Sequence, residues 1–77
     1  MAKITIEIDQ QDAQAIERIL HELAHARTKH PLFPRIPTSQ LSILAEEFGE
    51  VAKDINDDKD YRTEVAQVAA VCIRMLR

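Results

Sequence analysis

Apolar residues change period along the chain. Ile4, Ile6 and Ile8 alternate with Lys3, Thr5 and Glu7, and a period of two is that of a strand with one face against an apolar surface. A lone strand has no partner within the chain, so this segment reads either as a strand that pairs with another copy or as an extended arm. The spacing then becomes helical, with Ala13, Ile16, Ile19, Leu20, Leu23 and Ala24 recurring at three and four. Asp9 supplies an N-cap, and the helix is expected to run to about Arg27.

Pro31, Pro34 and Pro37 interrupt the pattern. Each lacks an amide donor and disfavours helix at the residue before it, so His30 to Pro37 is expected to be an extended connector. Thr38 or Ser39 then caps a second helix whose stripe is Leu41, Leu44, Phe48, Val51 and Ile55, ending in the polar run Asn56-Asp57-Asp58-Lys59-Asp60. A third helix starts at Asp60 or Tyr61 and continues to the last residue. Val65, Val68, Cys72 and Leu76 make its stripe, widened by Val71 and Met75.

Three helices on short connectors predict an all-α fold, an antiparallel helical bundle of one domain over residues 1–77 with a short N-terminal arm or strand. The third helix is apolar around more than half its circumference, and a chain of 77 residues is marginal alone. Cys72 is the only cysteine, which rules out an internal disulfide and fits a reducing, cytoplasmic setting. The expected remedy is a homodimer or homotetramer in which helices of two copies complete a four-helix bundle.

A net charge of −3 argues against a nucleic-acid polymer as partner, since phosphate-backbone affinity rests on clustered Lys and Arg. No apolar run approaches the roughly 20 residues of a membrane helix, and the first residues lack a signal-peptide core. The acidic residues concentrate between Glu46 and Glu64, and there they carry chemistry. At about 100° per residue Glu46, Glu47 and Glu50 project from one side of the second helix, where like charges repel and contribute nothing to the fold. Glu64 falls inside the apolar sector of the third helix, with Gln67 one turn along. A carboxylate there would protonate, pair or bind a metal. If the two helices pack antiparallel, the Glu47–Glu50 edge faces Glu64–Gln67 in an oxygen-rich pocket, and Gly49 would let another helix or a ligand come close. Donors that are all oxygen favour Mg²⁺ or Mn²⁺ over zinc, with substrate phosphates completing the coordination.

The run Ile43-Leu44-Ala45-Glu46-Glu47-Phe48-Gly49-Glu50-Val51-Ala52-Lys53, followed by Tyr61-Arg62-Thr63-Glu64-Val65-Ala66-Gln67-Val68-Ala69-Ala70-Val71, resembles the MazG-like all-α nucleoside triphosphate pyrophosphohydrolases. That superfamily also includes dimeric dUTPases and phosphoribosyl-ATP pyrophosphohydrolase. Its signature is Glu-Glu-x-x-Glu on one helix and Glu-x-x-Asp on the next, together holding Mg²⁺. The resemblance covers about half the chain. It implies hydrolysis of a nucleoside triphosphate between the α and β phosphates, giving a monophosphate and pyrophosphate. It also implies Glu47, Glu50, Glu64 and Gln67 as metal ligands, with Glu46 a further ligand or the group that orients the attacking water. Gln67 stands where the signature has Asp. An amide oxygen can still ligate but removes one negative charge, which opens a second reading: a catalytically weakened nucleotide- or metal-binding regulatory protein of the same fold.

Arg27, Lys29 and Arg35 precede the second helix and Lys53 lies one turn beyond Glu50; each is a candidate for substrate phosphate. Phe33 and Tyr61 are candidates to stack a base. His21-Glu22-Leu23-Ala24-His25 matches the zinc-protease pattern His-Glu-x-x-His, in which two His on one helical face hold the metal. The helix projection puts both His opposite the apolar stripe, however, and a chain this small has no protease cleft, so a solvated helix face is the expected role.

Overall fold

The computed structural model describes residues 1–77 and is all-helical: α1 spans Gln10–Lys29, α2 Pro37–Asn56 and α3 Arg62–Met75. Asp9 caps α1 as expected, its Oδ1 accepting from the Asp12 amide at 2.8 Å. Residues 1–9 form neither helix nor strand and are exposed, so the alternating isoleucines make no sheet within the chain. Two boundaries also differ from the sequence reading. The N-cap of α2 is Ile36, without a side-chain hydrogen bond, and Pro37 opens the helix, because the first helical position needs no amide donor and proline is preset for its φ. Thr38 and Ser39 therefore lie within the first turn. At the other end α3 stops at Met75 rather than at the last residue.

The α2–α3 turn contains Asp58 at φ 55°, a left-handed conformation that Asp tolerates better than most residues. Asp60 follows and accepts from the Arg62 amide at 3.0 Å, which starts α3. That bond, ahead of the Arg62 charge, holds the Asp60 carboxyl below its ordinary value.

α3 is the central element, packing against both α1 and α2, which do not pack on each other. Gln67 meets Glu22 and Arg74 meets His30, so α1 and α3 run in the same direction. α2 runs opposite to both, as its short turn into α3 requires. The small side chains of Ala66 and Ala70, both buried, let α1 and α2 close onto α3. Leu23, Val71 and Arg74 complete the buried set, which is only five of 77 residues.

The expected stripes turn inward only in part: Leu44 and Val51 of α2 and Val68, Val71 and Met75 of α3 are half-buried or buried. Leu41, Phe48 and Ile55 of α2 are 59%, 65% and 51% exposed, and Val65, Cys72 and Leu76 of α3 also face out. On α2, Leu44 and Val51 share the half-buried face with Gln40, Ile43, Glu47 and Asp54. Two carboxylates thus occupy positions normally taken by apolar residues. No helix is long and apolar enough to cross a membrane.

Candidate functional site

Antiparallel packing of α2 on α3 brings together Glu47, Glu50 and Glu64, which each present a carboxylate oxygen within 4.8 Å of the others. The sequence places these three on facing edges, and the fold delivers them there. Glu47 and Glu64 are half-buried and Glu50 is exposed. One oxygen of Glu47 and one of Glu64, both Oε2, are buried with no hydrogen-bond partner. Such acceptors are costly to leave unmet in a folded chain.

The electrostatics follow from this crowding. Burial is the main reason the Glu64 carboxyl is pushed up to about 7, followed by its hydrogen bond with Glu50 and by repulsion from Glu50, Asp54 and Glu47. Glu47 is raised in the same way, by burial first and then by Glu50 and Glu46. In both Glu47 and Glu64, burial and neighbouring carboxylates favour the protonated form. Asp54, four residues after Glu50 and half-buried, belongs to this electrostatic neighbourhood. It lies one turn further along the same acidic edge of α2, at a spacing of four that is visible in the sequence.

A second space adjoins the cluster. A cavity of about 460 Å³ lies between α1, the connector, α2 and α3, with Glu46, Glu47 and Gln67 on its wall. Gln67 donates from its amide nitrogen to Glu22 Oε1 at 3.2 Å, a bond that does not involve the amide oxygen. Among the candidate phosphate contacts, Lys29 lines the cavity, whereas Arg27, Arg35 and Lys53 do not. Phe33 lines it and Tyr61 does not. In the His-Glu-x-x-His segment, Glu22 turns toward Gln67 while His21 and His25 stay exposed.

The cavity's other end is built by residues that periodicity alone does not single out. Arg74 is 9% exposed. It donates from Nη2 to the His30 carbonyl at 2.8 Å and lies 4.7 Å from the Phe33 ring centroid. Gln40 Nε2 donates to the Pro34 carbonyl at 2.8 Å, so the connector is tied to α2 as well as α3. The Arg74 bond joins residues 44 apart in sequence, which is why Arg74 reads locally as a solvated cation near a helix end.

No family model, curated protein or solved structure matches this chain.

Proposed function

We propose that this chain is a Mg²⁺- or Mn²⁺-dependent nucleotide pyrophosphohydrolase of MazG-like type, hydrolysing a nucleoside triphosphate to the monophosphate and pyrophosphate. The observation that carries the reading is the pair of buried, unpartnered oxygens on Glu47 and Glu64 beside Glu50. Three carboxylates whose folding raises their mutual repulsion suit a hard divalent cation. Glu47, Glu50 and Glu64 would hold the ion, and Gln67 would offer its amide oxygen, since it is the amide nitrogen that donates to Glu22. The ion, when bound, supplies neutralisation of phosphate charge and acidification of water.

The remaining work falls to the chain's own side chains. Glu46 is exposed at the cavity wall next to Glu47, where it can accept a proton from water approaching the α phosphate. The cavity gives the nucleoside a place beside the carboxylates, and Lys29 offers a cation to it.

The assembly we propose is a homodimer or homotetramer. Leu41, Phe48 and Ile55 recur at every seventh position of α2, all exposed, which is the repeat of a helix seam awaiting a partner helix. A second copy would cover it.

The test is to incubate the protein with a panel of ribo- and deoxynucleoside triphosphates, with Mg²⁺ and with chelator, measuring monophosphate and pyrophosphate. Metal-dependent release that Glu50→Ala abolishes is the expected result. Metal binding without release from any nucleotide favours the second reading, a weakened binding protein, for which the neutral amide of Gln67 beside the carboxylates of Glu46 and Glu47 on the cavity wall is the specific support.

A further inference from the structure

Arg74 is a buried cation without a counter-charge. The chain's only ion pair is Arg62–Asp60 on the surface, and the guanidinium of Arg74 makes one hydrogen bond, to a neutral carbonyl, while its Nε has no acceptor. Burial is the main cause that lowers its basicity, with Arg27 and Arg77 adding repulsion. Isolated buried charge is costly, and a guanidinium is ordinarily satisfied by a carboxylate or phosphate.

The side chain also lines the cavity, and charge is segregated along that cavity. Going along α1, the lining passes from Glu22 to Lys29; along α3, it passes from Gln67 to Arg74. Seven residues of helix separate the latter pair, about 10 Å at 1.5 Å per residue. The acidic residues Glu46 and Glu47 sit on the α2 wall. The cavity therefore has a carboxylate end, where a cation would be welcome, and a cationic end where none of its carboxylates pairs with Arg74.

We propose that the Arg74–Lys29 end is an oxyanion subsite, binding a phosphate or carboxylate group of a small organic ligand and working without a metal ion. Arg74 is its fixed element, held by His30 and by the Phe33 ring. Lys29, exposed at the end of α1, adds a mobile charge. Leu32, Phe33 and Pro34 form an apolar wall against which the carbon portion of the ligand would lie. This inference does not depend on the hydrolase reading, because it requires no metal and no reaction.

The experiment is a titration of the full chain, in chelator, with inorganic phosphate and separately with acetate, followed through the arginine Nε–Hε resonances. A saturable shift of the Arg74 signal is expected. Response to phosphate alone would assign a phosphoryl group, and an equal response to acetate would assign a carboxylate. Arg74→Lys keeps the charge but loses the planar donors, and should weaken binding, followed on backbone amides, about tenfold. Lys29→Ala should weaken it by roughly threefold, as suits a solvated charge. Glu50→Ala, which tests the carboxylate cluster, should leave anion binding in place. Should Arg74→Lys fail to fold, the Arg74 resonance of the wild-type chain and the Lys29→Ala variant decide the matter. Two results would overturn the proposal: no saturable shift with either anion, which would leave Arg74 as a strut between α3 and the connector, or anion binding that disappears in Glu50→Ala.

Discussion

The amide of Gln67 points its nitrogen at Glu22, 3.2 Å away on the neighbouring helix. The donor must be the NH₂ group, because an ionised carboxylate can only accept, so the amide oxygen is directed elsewhere. Replacing Gln67 by Asp would set two carboxylates against each other. Gln67→Asp alone is therefore expected to improve Mg²⁺ affinity less than Gln67→Asp combined with Glu22→Gln, with a coupling of about 1 kcal/mol or more. Calorimetric titration of Mg²⁺ into the four members of the cycle measures it. Additive effects would mean that Glu22 has no hold on the site.

Glu64 gives the fold a pH dependence of definite sign. Its carboxyl rises on folding from 4.5 to about 7, so between those values the folded chain keeps a proton that the unfolded chain has released. Stability is then greatest at the acidic side of the window and falls as pH rises through it. In metal-free buffer the urea midpoint should be higher at about pH 5 than at about pH 8, and Glu64→Gln should remove most of the difference. Mg²⁺ affinity should move the other way, increasing with pH as the ligands lose their protons. An equally steep stability profile in Glu64→Gln would place the titrating group elsewhere.

Gly49 sits inside α2, and a Cβ added there meets nothing within 4 Å. The close approach expected at this glycine is absent within the chain. Gly49→Ala should therefore stabilise the monomeric fold by about 0.5–1 kcal/mol through helix propensity, read as a higher midpoint in thermal or urea unfolding. If a second copy packs its backbone onto this glycine, the same change will instead weaken association, and dilution experiments separate the two effects.

Phe48, the residue before Gly49, tests the assembly directly. Phe48→Glu puts a charge in the middle of the exposed seam of α2 at a side chain that is 65% exposed, so helicity should be retained. Sedimentation should report self-association weaker by at least about tenfold, since burial of an aromatic side chain contributes roughly 2 kcal/mol. Unchanged sedimentation would remove this stripe from any interface.

Much of this fold is legible from residue order, and the exceptions have physical causes. Asp9 and the spacing from Ala13 to Ala24 define α1 because cap and period agree. The entry to α2 misleads because Pro37 looks like a barrier although it is well suited to a first helical position. Phe48 and Val65 mark apolar sides correctly, but a helical projection does not say which neighbour covers a side, and within one chain none covers theirs. Glu47, Glu50 and Glu64 could be found in advance because each breaks a local rule, like charges one turn apart or an acid among apolar residues. Arg74 breaks no local rule. Its burial arises only when the connector, 44 residues earlier, passes over it.

Because α1 and α2 each pack on α3 and not on each other, the two halves of the site can open separately. Peeling α1 away would dismantle the cavity and the Glu22–Gln67 bond yet leave Glu47, Glu50 and Glu64 facing one another. Release of α2 would scatter the carboxylates while Arg74 stayed tied to His30. A ligand that engages both ends of the cavity would bridge these two partial openings, so its binding should slow amide exchange in α1 and α2 together, whereas Mg²⁺ alone should protect mainly α2 and α3.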